Sequence, residues 1–278
     1  MNYRHAFHAG NFADVVKHIA LVAILSHLKK KPVPFVVIDS HAGRGLYDLT
    51  GEEALRTGEA ARGIYRLDDL KHGPEALTTY LDVVRGCGAG LYPGSPLIAA
   101  KLLRPQDRLL GLEKHPADAE ALTAALSPFR KTRVERVDGY RRLAALLPPP
   151  ERRALVLIDP PYEAPDEFAA VARAAAEALR RFATGIYLIW LPIKTGARAD
   201  ALCGEVLLAG PRKLLRLDID VGKSDGNERL TAAGLLIVNP PYGFEEEMRA
   251  VLALLEPRLG AKPDVPARSR LIWLAGEP

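Results

Sequence analysis

The chain has 278 residues, of which 48% are hydrophobic and 26% charged, and this balance excludes an intrinsically disordered protein. Cys87 and Cys203 are its two cysteines, and they argue against a disulfide scaffold, a zinc site or an iron–sulfur cluster. Residues 19–25 form too short an apolar run to span a membrane, and residues 1–9 lack the apolar core of a signal peptide. We therefore expect a soluble, uncleaved cytoplasmic protein with one large domain or two small ones.

The net charge of +4 resides at the amino terminus. Residues 1–31 contain five lysine or arginine residues against one acid, whereas the remaining 33 basic and 33 acidic residues cancel. Four of the seven histidines lie in the same segment. A basic segment of this kind suits contact with phosphates, although a solvated helix surface is the alternative interpretation.

The amino-terminal segment also has an unusual composition. Residues 3–11 are dense in aromatic, histidine and amide side chains, and Asn11 can cap a helix that runs to about Lys30. Lys17 and His18 lie in the second turn of that helix, so we expect them to face the same site as residues 3–11.

The first buried strand covers residues 35–39 and leads into a turn that contains Gly43 and Gly45. Glycines after a strand allow a ligand to approach the backbone closely. In the dinucleotide-binding fingerprint a third glycine would occupy position 48, where this chain has Asp48. This departure lowers the expectation of a pyrophosphate site, while S-adenosylmethionine has no phosphate that would need one.

The alternation of strands and helices is interrupted over residues 49–103. Residues 52–70 and 73–84 are predicted to be helices, and a His-Gly-Pro sequence separates them. We therefore expect a small inserted helical subdomain. Ser95 begins the next helix, where it can either cap the helix or donate a hydrogen bond to a ligand.

Three successive strands are then predicted to end in an acid. They cover residues 108–113, 133–139 and 154–159, and their acids are Glu113, Asp138 and Asp159. In a methyltransferase sheet of the Rossmann-like type, the first acid accepts the ribose hydroxyls and the second accepts the adenine amine of the cofactor, while the third faces the substrate. The order predicts a class I, S-adenosylmethionine-dependent methyltransferase of α/β class.

The predicted sheet is mostly parallel and seven-stranded, with an antiparallel late hairpin. Residues 185–191 form its fifth strand, and residues 214–219 and 235–238 form the hairpin that completes the seven; residues 268–273 supply a further, last strand. Residues 1–278 are thus interpreted as a single methyltransferase domain, with an RNA-facing arm and helix at residues 1–31.

The buried strand at residues 154–158 delivers the sequence Asp159-Pro160-Pro161-Tyr162 to the end of the sheet. An exocyclic amine such as adenine N6 is a poor nucleophile, because its lone pair is delocalised into the ring. The Asp159 carboxylate and the Pro160 carbonyl can accept its two hydrogens and favour a tetrahedral nitrogen. Tyr162 can stack on a base taken out of its helix.

A second copy of this pattern occurs at Asn239-Pro240-Pro241-Tyr242. Asn can replace Asp in enzymes that methylate amino groups, so the residues alone do not exclude it. Because Asn239 follows the late antiparallel hairpin, however, we expect it to lie away from the methyl group. Position in the chain therefore favours Asp159.

Several short motifs occur together in this chain: Tyr3-Arg4-His5 with Phe7-His8-Ala9-Gly10-Asn11, Asp14-Val15, Lys17-His18, Asp39-x-His41-Ala42-Gly43-x-Gly45, Tyr92-Pro93-Gly94-Ser95-Pro96, Asp138-Gly139, Ile158-Asp159-Pro160-Pro161-Tyr162-Glu163 and Arg181-Phe182-Ala183-Thr184-Gly185-Ile186-Tyr187. Together they resemble the RlmJ family, which methylates N6 of one adenine in bacterial 23S ribosomal RNA. The resemblance implies a monomeric enzyme that binds S-adenosylmethionine and releases S-adenosylhomocysteine.

The resemblance also implies roles for single residues. The implied cofactor contacts are His18, His41, Ser95, Glu113, Asp138 and Gly139, with Asp159 central to catalysis. Tyr3, His5 and Lys17 would serve the RNA end of the site. No metal is expected, since the leaving group is a neutral thioether.

Other functions stay open on the sequence alone. A DNA-adenine or protein-glutamine methyltransferase shares the four-residue motif at Asp159, and a nicotinamide-dependent dehydrogenase uses a similar sheet. A catalytically silent RNA-binding protein would show salt-dependent RNA affinity without methyl transfer.

Overall fold

A computed structural model of the protein describes residues 4–223, 230–262 and 264–276. These residues form an eight-stranded sheet in the order β5-β4-β1-β6-β7-β9-β8-β10. A separate pair of strands consists of β2 (Leu46–Asp48) and β3 (Leu91–Pro93). The main strands are β1 (Val36–Asp39), β4 (Arg108–Leu112), β5 (Thr132–Glu135), β6 (Ala154–Ile158), β7 (Ile186–Pro192), β8 (Leu214–Asp220), β9 (Ala232–Val238) and β10 (Arg268–Ala275).

Five strands, β5, β4, β1, β6 and β7, run parallel, while β9 lies antiparallel between β7 and β8. This arrangement confirms the predicted class I fold with late antiparallel strands. The sheet has eight strands rather than seven because β10 pairs antiparallel with β8 at the edge. The pairing is reinforced where Arg216 and Arg270 each donate to the Asp218 carboxylate, at 2.8 and 2.7 Å.

Two layers of helices cover the sheet. The helices are α1 (Phe12–Lys29), α2 (Glu52–Thr57), α3 (Glu75–Arg85), α4 (Ser95–Leu102), α5 (Pro116–Leu126), α6 (Gly139–Leu143), α7 (Glu167–Arg181), α8 (Gly196–Leu208) and α9 (Phe244–Leu259). Alternate residues of β1 divide between the two layers: Val37 joins one apolar core, and Val36 and Ile38 join the other. In the described part of the chain, no helix combines the length and apolar character needed to cross a membrane.

Helix α1 begins where the sequence predicts. The Asn11 side chain accepts a hydrogen bond from the backbone N–H of Asp14 at 2.9 Å and so caps the helix. The helix packs against α3, α4 and α9, and its buried residues include Asp14, Lys17 and His18. Burial of three polar side chains on an otherwise apolar helix requires partners for each of them.

The inserted segment differs from its prediction. The helix predicted at residues 52–70 ends at Thr57, because Gly58 adopts a left-handed conformation with φ of 60° and terminates α2. Two short 3₁₀ turns, Ala60–Arg62 and Ile64–Leu67, follow it. The sequence also gave no indication of the pair β2 (Leu46–Asp48) and β3 (Leu91–Pro93), whose three-residue strands are too short for a periodic pattern.

The segment before α1 packs against this insertion. The Arg4 guanidinium lies 3.1 Å from the Glu53 carboxylate, and the Ile64 backbone N–H donates to Gly10 O at 2.9 Å. Gly63 makes the closest approach, since a Cβ atom there would lie 2.1 Å from Gly10 O. The insertion therefore fixes the path of residues 4–10 towards the sheet.

Replacing Gly63 by alanine should destabilise the protein by about 1–3 kcal/mol, because the added methyl group meets backbone atoms that cannot rotate away. Urea unfolding measures this difference. Gly204→Ala is the matched control: it lies in helix α8 with no atom within 4 Å of the added carbon, so it should stabilise by about 0.5–1 kcal/mol. Equal free energies of unfolding for the two variants would contradict the close approach of Gly63 to Gly10 O.

Candidate active site

The site lies where the strand order reverses. Strands β4 and β5 extend from one side of β1, and β6 and β7 extend from the other. Ligands of open parallel sheets bind at the carboxyl ends of the strands at such a point. A cavity of about 780 Å³ opens there, lined by the turns after β1, β4, β5 and β6 and by α1.

This cavity brings the predicted site residues together. The predicted residues that line it are His5, Lys17, His18, His41, Gly43, Ser95, Glu113, Asp138, Gly139, Asp159, Pro160 and Tyr162. Tyr3 lies outside the residues that the structure describes. Within the described ranges, no group of three His, Cys, Asp or Glu side chains has the arrangement of metal ligands.

Glu113 follows β4 directly and holds the glycine turn after β1. Its Oε2 accepts the Gly43 backbone N–H at 2.8 Å, and its Oε1 accepts the His115 backbone N–H at 2.7 Å. Burial raises the pKa of the Glu113 carboxyl, although these backbone donors oppose the shift. The carboxylate is thus fixed in the cavity wall with lone pairs left for a ligand.

Asp138 is placed differently from its prediction. Strand β5 ends at Glu135, so Asp138 lies in the turn beyond the strand rather than at its tip. Its side chain caps α6 by accepting the Arg141 backbone N–H at 3.3 Å, and Lys114 Nζ donates to it at 3.0 Å. Burial alone would raise the pKa of Asp138, but the hydrogen bonds from Lys114 and from the Arg141 backbone, together with the charge of Lys114, lower it.

Two glycines in the wall permit close backbone approach. A Cβ atom on Gly139 would lie 1.9 Å from Ser40 O, and one on Gly43 would lie 2.4 Å from the Tyr47 hydroxyl. Gly43 also has a φ of 62°, which disfavours other residues. The two turns, after β1 and before α6, are therefore packed directly against each other.

Two histidines in the cavity are neutral at physiological pH. Burial lowers the pKa of His41 to about 4, and the edge of its ring meets Tyr140 at 4.7 Å between centroids. Burial also holds the pKa of His18 well below its ordinary value. His18 Nδ1 lies 2.8 Å from the Tyr92 hydroxyl, which is hydrogen-bonded in turn to the Tyr80 hydroxyl at 2.9 Å.

Ser95 does not cap its helix. The N-cap of α4 is Gly94, and Ser95 Oγ donates to Asp39 Oδ2 at 2.7 Å, so the capping alternative is wrong. Asp39 ends β1 and is fully buried; burial, reinforced by the negative charge of Asp159, raises its pKa to about 7. Asp39 was not among the predicted site residues, although an acid at a strand end was the signal that identified Glu113.

Asp159 contacts a buried ion network. Lys17 Nζ lies 2.5 Å from Asp159 Oδ2 and 2.7 Å from Asp14 Oδ1. The second oxygen of Asp14 accepts the His5 Nε2–H at 2.9 Å and the Gly10 backbone N–H at 3.0 Å. Asp14 was not among the predicted site residues, although it belongs to the motif Asp14-Val15 and lies three residues before Lys17 on one helix.

The charges in this network stabilise one another. Burial alone would lower the pKa of Lys17, but the carboxylates of Asp14 and Asp159 outweigh it and raise that pKa above its ordinary value. Burial alone would raise the pKa of Asp14, yet His5 and Lys17 hold it well below its usual range. The network is therefore two carboxylates sharing one ammonium.

Tyr162 is fixed in the cavity wall. Its ring lies 4.6 Å from Phe168 and 5.6 Å from Trp190 between centroids, and its hydroxyl donates to Trp190 O at 2.7 Å. Its φ of 52° is uncommon for a residue other than glycine and persists because these contacts hold the ring.

Asn239 lies at the opposite edge of the sheet. Its Nδ2 donates to Ala183 O at 2.9 Å and to Gly185 O at 2.7 Å, beside the amino end of β7. Because β9 runs antiparallel to β7, the residue after β9 cannot reach the cavity. The position predicted for Asn239 is confirmed.

Comparisons with known proteins give a consistent result. The model of the family described as "Ribosomal RNA large subunit methyltransferase D, RlmJ" matches residues 32–274. Ribosomal RNA large subunit methyltransferase J of Escherichia coli K12 is 40% identical, with 100% of each chain covered, and the Haemophilus influenzae protein of that name is 41% identical over 92% of each. The crystal structure of protein LPL1258 from Legionella pneumophila has a TM-score of 0.86 and 34% identity, covering 97% of this chain and 98% of that one.

The raised pKa of Asp39 makes a testable contribution to stability. In the folded state Asp39 keeps its proton up to about pH 7, whereas the ordinary pKa of an aspartate is 3.8. Proton binding to Asp39 therefore stabilises the folded state fully below pH 3.8, and this stabilisation is lost as pH rises through 7. Urea unfolding of wild type and Asp39→Asn from pH 4 to 9 should show the wild type losing stability relative to the variant over this window. Parallel pH curves would contradict the assignment.

Ser95→Ala is the control for this prediction. The Ser95 hydroxyl lowers the pKa of Asp39, so removing it should move the transition to higher pH without abolishing it. Carbon-13 NMR of the Asp39 carboxyl gives the same pKa directly, independently of unfolding.

Proposed function

The chain belongs to the RlmJ family of ribosomal RNA large subunit methyltransferases, and on this premise we propose that it methylates N6 of one adenine in 23S ribosomal RNA. The observation that carries the proposal is the position of Asp159. Its carboxylate stands at the carboxyl end of β6, beside two prolines, in the cavity that also holds Glu113 and Asp138. The acceptor proposed for the target amine and the acceptors proposed for the cofactor thus lie in the same cavity.

The chemistry of the cavity fits S-adenosylmethionine. Among the described residues, eight acids and three lysines line it, and two of those lysines, Lys17 and Lys114, already contact carboxylates. An acidic wall attracts a cationic sulfonium and repels the pyrophosphate of a dinucleotide, which speaks against a nicotinamide-dependent dehydrogenase. When bound, S-adenosylmethionine supplies an electrophilic methyl group.

Several residues would hold the cofactor. We assign Glu113 to the ribose hydroxyls and Asp138 to the adenine amine, since both carboxylates are fixed by neighbours and keep acceptor capacity. Gly43 and Gly139 leave the backbone open to close approach. His18, His41 and Ser95 complete the proposed cofactor-binding wall.

Asp159 and Pro160 would bind the target amine. With the two amine hydrogens donated to the carboxylate and to the Pro160 carbonyl, the nitrogen lone pair is withdrawn from the ring and directed at the methyl carbon. The Tyr162 ring, held by Phe168 and Trp190, offers a stacking surface for the base. The fixed dihedral angles of the prolines preorganise both acceptors.

The amino-terminal segment would serve the RNA. We propose that the arm at the start of residues 1–31 faces the RNA, and that the inserted subdomain at about 49–103 holds this arm through contacts such as Arg4–Glu53. Helix α1 in the same range is largely buried, so only its first turns, which line the cavity, would face the substrate. Tyr3, His5 and Lys17 are assigned to the RNA end of the site; Lys17 contacts Asp159 directly, and His5 is linked to it through Asp14 and Lys17.

The first test examines the RNA substrate and the role of Asp159 in one experiment. Wild-type protein incubated with labelled S-adenosylmethionine and unmodified 23S ribosomal RNA should yield one N6-methyladenine by nucleoside mass spectrometry. Asp159→Ala should reduce turnover at least about 100-fold, because it removes a preorganised acceptor. Affinity for S-adenosylhomocysteine should change much less, and Asp14 still pairs with Lys17 in this variant.

Asn239→Ala is the matched control, since Asn239 belongs to the same Pro-Pro-Tyr pattern at the opposite edge. It should retain wild-type turnover. Loss of activity in Asn239→Ala with full activity in Asp159→Ala would refute the assignment. Label in DNA or in protein glutamine, but not in RNA, would keep the methyltransferase and discard the RNA substrate.

Glu113→Ala should weaken cofactor binding roughly tenfold or more, the cost of losing a hydrogen bond to a charged acceptor. Isothermal titration with S-adenosylhomocysteine measures the dissociation constant. Glu120→Ala, which removes an exposed acid from the following helix α5, is the control and should bind normally. An unchanged constant in Glu113→Ala would place the ribose elsewhere.

A further inference from the structure

Lys17 occupies a place that the proposed reaction needs. Its Nζ lies 2.5 Å from Asp159 Oδ2, the carboxylate assigned to the target amine. The Asp159 carboxylate has further lone pairs, but an ammonium on Oδ2 cancels much of the charge that makes it a strong acceptor. The substrate amine meets the full charge of Asp159 only when Lys17 gives up this hydrogen bond.

The ammonium cannot leave for solvent. The Lys17 side chain is only 4% exposed, and it stands on a helix that is packed on several sides. A buried ammonium that lost its only carboxylate would be strongly destabilised. An exchange at Asp159 therefore requires a second acceptor within reach of the same nitrogen.

Asp14 is that second acceptor. Its Oδ1 lies 2.7 Å from Lys17 Nζ, and its Oδ2 is held by the His5 Nε2–H and the Gly10 backbone N–H. The backbone of Asp14 is fixed as well, because Asn11 caps its N–H. Asp14 thus stays in place whether or not Lys17 is bonded to Asp159.

We propose that Lys17 occupies the place of the target amine on Asp159 until the substrate binds. Asp14 is then the positioning residue that retains the Lys17 ammonium when the adenine amine displaces it from Asp159. The inference rests on the proposed function and deepens it. Because two carboxylates share one ammonium, the amine can replace the ammonium at Asp159 while the ammonium stays paired with Asp14. Asp14 acts through Lys17 and touches neither substrate nor cofactor.

The exchange makes activity depend on the charge of Lys17. The titratable groups that face Lys17 from the surrounding elements are His5, Asp14, His18, Asp39, Tyr47, Tyr80 and Asp159. Of these, Asp14 and Asp159 make direct hydrogen bonds to the ammonium. Without the charge of Asp14, the ammonium would stay paired with Asp159 and neutralise it, and the pKa of Lys17 would fall.

Asp14→Asn in the full chain tests this inference, because it removes the charge and keeps the size and one acceptor oxygen. At pH 7 the variant should lose turnover on the order of 10–100-fold, with unchanged affinity for S-adenosylhomocysteine. Its activity should recover as pH rises, since deprotonation of Lys17 releases Asp159. The wild type should lack this alkaline rise, and Asp14→Glu should restore a large part of the activity at pH 7.

The double variant Asp14→Asn, Lys17→Met separates the charge from packing. It has no ammonium to titrate, so the alkaline recovery should disappear. A loss in Asp14→Asn that is the same at every pH, or that Asp14→Glu does not rescue, would overturn the proposal and leave Asp14 with a purely structural role.

Nitrogen-15 NMR of the Lys17 ammonium gives a readout that needs no turnover and no Asp14 variant. In wild type, adding an RNA fragment with the target adenine and S-adenosylhomocysteine should shift the ammonium signal while the nitrogen stays protonated. An unshifted signal from RNA-bound protein, or its loss by deprotonation, would refute the exchange. Failure of the fragment to bind, or of wild type to methylate RNA, would instead count against the proposed function.

Discussion

The chemistry of this protein depends on one constraint: parallel strands deliver their carboxyl ends to the same edge of a sheet. Strand β1 has β4 on one side and β6 on the other, so the turns that follow all three strands meet around one cavity. Glu113 and Asp159 are far apart in the sequence, yet they line the same space because each comes directly after a strand of this group. Strand β9 runs in the opposite direction, so the residue that follows it, Asn239, lies at the other edge of the sheet.

A second consequence concerns the buried helix α1. Its polar residues could be buried only with partners, and the partners lie on both sides: His5 precedes the helix, whereas Asp159 follows β6. The hydrogen bonds of Asp14 and Lys17 therefore connect the amino-terminal segment to the proposed acceptor for the amine. The amino-terminal segment and Asp159 are thus coupled by charge, because each carboxylate that binds the ammonium changes how strongly the other holds it.

The sequence predicted the site best where a residue type and a strand end coincide, as at Glu113 and Asp159. It predicted less where the outcome depended on three-dimensional neighbours. Asp14 lies three residues before Lys17, but it was assigned no role because helical spacing alone does not show which residues are buried. The sequence left Ser95 as either a helix cap or a donor to a ligand, whereas in the structure Gly94 is the N-cap and the Ser95 hydroxyl donates to Asp39. The prediction of one helix through Gly58 is wrong because Gly58 adopts a left-handed conformation that ends α2. The residue type alone does not show which conformation a glycine adopts.

The two Pro-Pro-Tyr sequences show why a motif acquires a function only through its place in the sheet. Both follow a buried apolar strand, and in isolation either Asp159 or Asn239 could bind an amine. Strand β6 runs parallel to its neighbours and presents Asp159 to the cavity, whereas β9 runs antiparallel and leaves Asn239 bonded to Ala183 O and Gly185 O at the far edge. Since the local sequence is nearly the same, strand direction alone separates the candidate catalytic group from a structural one.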